Sequence, residues 1–93
     1  SHFILSQKAN TGILVCGTGI GVSMAANRHK GIRAAVCTSE FEARASRQHN
    51  DANIICFGAR IIGIPHAIAC LQVFLNTAFE GGRHQERLRK IDL

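Results

Sequence analysis

Tryptophan and tyrosine are absent from this 93-residue chain, and proline occurs once. With five Phe as the whole aromatic set, there are few platforms on which bases of single-stranded nucleic acid could stack. No Lys/Arg run exceeds two residues, so a nucleic-acid partner is not expected. Long apolar runs are missing as well: stretches such as Ile13 to Cys16 fall far short of the roughly 20 residues a membrane helix needs. The apolar start Phe3-Ile4-Leu5 is too short for a secretory signal. The four cysteines, at 16, 37, 56 and 70, follow neither a zinc spacing nor a disulfide framework. Each sits in an apolar segment, which suits thiols kept reduced in the cytoplasm and packed as small hydrophobes.

What is present describes one small domain. At 46% hydrophobic and 18% charged residues the chain has the composition of a folded α/β or α+β protein. A chain this short hides only about 60 to 65% of its unfolded surface, so the core must be small. The net charge of +5 suits an anionic partner without saying which.

Three β-branched runs, 13–16, 32–37 and 53–57, read as strands. The first and third lack polar alternation, which predicts coverage on both faces and hence a parallel sheet. Helices are predicted between and after them, over 21–29, 39–48 and 65–79. Ser39-x-x-Glu42 forms a capping box at the second, and Pro65 with Gly81-Gly82 brackets the third. A last charged helix is expected over 85–91. Residues 1–8 read as the tail of a helix whose preceding strand is lacking. Alternating strands and helices make the expected fold an α/β, doubly wound parallel sheet with three strands in this segment. So thin a sheet suggests the C-terminal part of a longer domain.

The stretch Cys16-Gly17-Thr18-Gly19-Ile20-Gly21 carries the clearest chemistry. Placed between a strand and a helix, its glycines let several N–H groups converge, which suits an oxyanion or a phosphate. It is neither a dinucleotide fingerprint nor a P-loop, since Val22 follows Gly21 and no Gly-Lys-Ser/Thr occurs. Cys16 ends its strand beside a helix start, where a thiol is expected to ionise more readily. His49-Asn50-Asp51 follows a predicted helix and precedes a strand, which places it in a loop at the other end of a crossover. Arg83 and Arg87, at i and i+4, place two guanidinium groups on one face of a helix. Without further context, these basic residues read equally as a solvated surface.

Together with Ala25-Ala26-Asn27, Gly31-Ile32-Arg33-Ala34, Ser46-Arg47-Gln48-His49-Asn50-Asp51 and Glu80-Gly81-Gly82-Arg83-His84-Gln85, this loop resembles the ribose-5-phosphate isomerase B family. The resemblance covers nearly the whole chain. It implies a Rossmann-like sheet of five parallel strands in the full family chain, a homodimer or dimer of dimers with shared active sites, and no cofactor or metal. The implied reaction interconverts ribose 5-phosphate and ribulose 5-phosphate through a cis-enediolate, in the non-oxidative pentose phosphate pathway of the cytoplasm.

Residue by residue, Cys16 matches the base, while another branch of the family has Glu at the position of Val22. Thr18 matches a hydroxyl that hands a proton to the sugar oxygens, and Gly17, Gly19 and Gly21 match the amide pocket for the enediolate. His49 matches the ring-opening acid/base and Asn50 a sugar-hydroxyl ligand. Arg83 and Arg87, with Arg60 as a third, match phosphate ligands. Family members begin with a strand ending in an Asp-His pair, which is not found here. The alternatives are a galactose 6-phosphate or allose 6-phosphate isomerase and, in another class, the IIB phosphocysteine carrier domain of sugar phosphotransferase systems, which also has Cys-Gly-x-Gly after its first strand.

Overall fold

The computed structural model describes residues 2–5 and 11–80, and the predicted helix over 85–91 lies outside them. Four strands form one sheet: β1 (His2–Leu5), β2 (Gly12–Cys16), β3 (Ala34–Val36) and β4 (Ile54–Gly58). Three helices accompany them: α1 (Ile20–Ala26), α2 (Glu40–Asn50) and α3 (Ile64–Asn76). The sheet order is β1-β2-β4-β3, so β4 enters between the two earlier parallel strands. β2 and β3 both run parallel to β4, as the apolar runs predicted.

Strand alternation sorts the core into two layers. Ile13, Val15, Ala35, Ile55 and Phe57 face α2 and α3, meeting Ala43, Cys70 and Phe74. Leu14, Ala34, Val36, Ile54 and Cys56 face the other way, towards Val22 and Ala26 of α1. β4 is buried over its whole length because it has strands on both sides and helices on both faces. Cys37, Cys56 and Cys70 are buried within these layers, as expected, and burial pushes the thiols of Cys37 and Cys56 up to about 11.

The first residues depart from expectation. Instead of a helix tail, His2–Leu5 form a strand antiparallel to β2, with Phe3 opposite Leu14. β2 would otherwise present a row of unpaired N–H and C=O groups, and the β-prone Phe3-Ile4-Leu5 satisfies them. The open edge of β2 lets these residues take the extended form that their side chains favour.

Other boundaries moved for identifiable reasons. α1 stops at Ala26 because the Asn27 side chain turns to β3, accepting from the Ala34 amide at 2.7 Å and donating to its carbonyl at 2.9 Å. β3 begins only at Ala34, since the Ile32 amide is taken by the His29 carbonyl in the preceding turn. α3 ends at Asn76, before the predicted limit, with Thr77 extended. At α2 the capping box is displaced by one residue. Ser39 Oγ accepts from the Glu42 amide at 3.1 Å, but the Glu42 carboxylate reaches back to the amide and hydroxyl of Thr38, both at 2.7 Å.

Candidate active site

Parallel strands deliver their carboxyl ends to one edge of the sheet, so the register Cys16↔Gly58 sets the loop after β2 beside the turn after β4. Two main-chain bonds tie them: the Ala59 amide to the Cys16 carbonyl at 2.7 Å, and the Arg60 amide to the Gly17 carbonyl at 3.0 Å. The Arg60 side chain lies along Gly17, its Nε 3.7 Å from where a β-carbon on Gly17 would stand. Cys16, Gly17, Thr18, Gly19 and Arg60 are therefore gathered at this edge.

Within the loop, Gly19 adopts φ 82°, a left-handed conformation that a side chain rarely takes, and caps α1. This turn aims amides back at the thiol. The Gly19 N–H donates to Cys16 Sγ at 3.1 Å. The Cys16 pKa is lowered chiefly by the Val22 amide in the first turn of α1, then by those of Gly19 and Thr18, with desolvation opposing them. The result is a partly exposed thiol that ionises more readily than an ordinary one, in contrast to the buried Cys37 and Cys56. Thr18 is exposed, its hydroxyl oxygen accepting from the Ile20 amide at 3.3 Å. Gly21 is an exposed residue of α1 with open space around it.

Sequence reasoning missed Gly58. A β-carbon there would stand 2.6 Å from the carbonyl carbon and oxygen of Thr18, closer than real contacts allow. The available signal was a glycine closing the apolar run of β4, a common mark of close backbone approach.

His49 and Asn50 are not beside Cys16 in the chain. Instead of the expected loop they occupy the last turn of α2, which runs two residues past the predicted end to its left-handed cap at Asp51 and leads into the amino end of β4. The five-residue strand separates the two ends by about 13 Å at roughly 3.3 Å per residue. Arg83 and Arg87 lie outside the described residues. Among the described residues, no group of three or more His, Cys, Asp or Glu is placed to hold a metal ion, and no helix is long and apolar enough to cross a membrane.

Comparison with known proteins bears on residues 1–91, which match the family model described as Ribose/Galactose Isomerase. The chain is 50% identical over 88 residues to ribose-5-phosphate isomerase B of Escherichia coli, covering 95% of this chain and 59% of that protein. It superposes with a TM-score of 0.88 on a ribose 5-phosphate isomerase from Thermotoga maritima, at 53% identity, over 91% of this chain and 59% of the other. A Mycoplasma genitalium ribose-5-phosphate isomerase B, solved with bound ribulose-5-phosphate, matches at 49% identity and a TM-score of 0.84, over 86% of this chain and 54% of the other. The chain thus spans less than two thirds of the length of these relatives.

Proposed function

The chain belongs to the ribose/galactose isomerase family, and from that membership we propose that it interconverts ribose 5-phosphate and ribulose 5-phosphate. The observation that carries the proposal is the Cys16 thiol, shifted towards thiolate by loop and helix amides at the carboxyl edge of the sheet. The match over 1–91 weighs against the phosphocysteine carrier alternative.

In the proposed reaction the thiolate takes the proton from C2 of the open-chain aldose. The electrons of that C–H bond form the C1–C2 double bond of a cis-enediolate, and negative charge gathers on the oxygens. Amides of the Gly17 to Gly21 segment donate to that charge, the contribution expected to lower the barrier most. Returning the proton to C1 completes the ketose, while Thr18 moves a proton from one sugar oxygen to the other. Arg60, at the same edge, takes the phosphate with Arg83 and Arg87.

Opening the furanose needs an acid/base near the ring oxygen, the role assigned to His49 with Asn50 on a sugar hydroxyl. These two lie a strand length from Cys16 in the same chain. They therefore serve the site of a second copy, which makes the working unit a homodimer or a dimer of dimers. The reaction places the enzyme in the cytoplasmic, non-oxidative pentose phosphate pathway.

The test is turnover of ribose 5-phosphate in deuterated water. Ribulose 5-phosphate carrying solvent deuterium at C1 is the expected product, with galactose 6-phosphate and allose 6-phosphate as competing substrates. A folded protein that turns over neither pentose phosphate ends the reading, and faster turnover of a hexose phosphate replaces it with the six-carbon alternative.

A further inference from the structure

Between Asn50, the last residue of α2, and Ile54, the first of β4, three residues reverse the chain. The reversal is made by Asp51, the only residue other than glycine with a positive φ among the described residues (φ 46°, ψ 43°). Glycine or asparagine would end a helix there with less strain. What aspartate adds is a charge, and that charge is held from two sides.

Arg47 Nη1 donates to Asp51 Oδ1 at 2.8 Å and Arg33 Nη2 to Oδ2 at 3.3 Å, while Arg33 Nε donates to the Asp51 carbonyl at 2.9 Å. Each arginine is anchored elsewhere. Arg47 also donates to the carbonyls of Ala52 at 2.7 Å and Thr77 at 3.0 Å, and its guanidinium lies 5.7 Å over the buried Phe74 ring. The Arg33 carbonyl accepts from the amides of Asn53 and Ile54, and its amide donates to Asn53 Oδ1 at 2.9 Å. The arginine side chains are only 19% and 17% exposed, so solvent screens the cluster weakly.

Ending the helix requires none of this. The Asp51 amide already bonds to the carbonyls of Arg47 and Ser46, the ordinary closure of a left-handed cap. The clamp instead fastens the last helical turn, which carries His49 and Asn50, to the residue just before β3 and to the segment after α3. The Glu80 amide, on the Gln48 carbonyl at 3.1 Å, holds the same turn from another side. Terminal helical turns ordinarily fray, whereas an acid/base group must be kept within hydrogen-bond geometry of its target. Building on the isomerase reading, we propose that Asp51, clamped by Arg33 and Arg47, is the positioning residue that orients His49 and Asn50 for ring opening.

Two variants test this in the intact protein. Asp51→Gly keeps the positive φ without the carboxylate, and Asp51→Asn keeps the side-chain shape without its charge. Both are expected to lower kcat for cyclic ribose 5-phosphate about tenfold, as misplacement of a catalytic group does, while open-chain aldose still forms from ribulose 5-phosphate within about twofold of the parent rate. In both, the His49 ring resonances are expected to shift and broaden, with the amide resonances of residues 16–19 unmoved.

Unchanged His49 resonances with unchanged kcat overturn the proposal. Equal losses in both directions with a lowered Tm also overturn it, by reducing the clamp to a stability device. If the parent protein lacks isomerase activity, the isomerase reading fails on its own account, and the clamp is judged by the His49 resonances.

Discussion

The α-carbon of Gly58 packs against the backbone of Thr18 so closely that a single methyl group would fall 2.6 Å from the Thr18 carbonyl. The carboxyl end of β4 thereby acts as a floor for the loop that holds Cys16. Because the opposing atoms are backbone, they cannot move aside as the end of a flexible side chain could. Gly58→Ala is expected to push the loop outwards and lower Tm, at a cost of about 1 to 3 kcal/mol for overpacking. Thermal unfolding measures the cost, and a change in Cys16 alkylation rate reports the displaced loop. Parent-like values for both would show that the contact relaxes freely.

Cys16 is expected to be the first thiol to react. Its pKa lies below the ordinary value of 9.0, whereas those of Cys37 and Cys56 are raised to about 11. Alkylation by iodoacetamide should therefore rise with pH through a midpoint below 9.0, with Cys37 and Cys56 unmodified in the folded protein. Peptide mass spectrometry across a pH series identifies the modified site. Cys16→Ala should lower kcat by about 10² or more, with KM little changed, as loss of a base that acts in the transition state requires.

His49→Asn should slow turnover of cyclic ribose 5-phosphate and spare formation of open-chain aldose from ribulose 5-phosphate, which cannot form the furanose. Measuring both directions on open-chain product separates ring opening from enediolate chemistry. Equal losses reject the ring-opening role.

Arg87→Ala should raise KM for phosphorylated sugars by about an order of magnitude with little change in Tm. Loss of a charged hydrogen bond costs roughly 1.5 to 3 kcal/mol, against well under 1 for an exposed surface charge. A KM within about twofold of the parent assigns Arg87 to the solvated surface.

The cap of α2 carries a pH signature. The Thr38 hydroxyl and amide hold the Glu42 carboxyl below its ordinary value of 4.5, with lesser help from Ser39. A carboxylate with a depressed pKa in the folded state stabilises the fold fully above the unfolded value and loses that contribution as pH falls through the folded one. Stability should therefore fall on acidification below about 4.5, and Glu42→Gln should flatten that limb in a pH series of Tm values. Ser39→Ala, which removes the cap acceptor for the Glu42 amide, is expected to cost about 1 kcal/mol at neutral pH.

Local patterns in the chain were enough to determine its parallel strands, its three helices and the thiol-bearing glycine loop. Hydrophobic period, Ser39 and Pro65 act within a few residues of where they stand, and so does the strand-to-helix placement of Cys16. Other features depend on residues brought together from afar. Phe3-Ile4-Leu5 became a strand because β2 offered an open edge, an influence from outside the segment's own sequence. Gly58 has its role only in the fold, where Thr18, forty residues earlier, lies against its α-carbon. Asp51, which the sequence marks only as following a helix and preceding a strand, has Arg33 and Arg47 on its two oxygens because the fold brings residues 18 and 4 positions away onto it. His49 and Cys16, two parts of one family pattern, stand at opposite ends of the sheet, because a parallel crossover returns the chain to the amino end before each new strand begins.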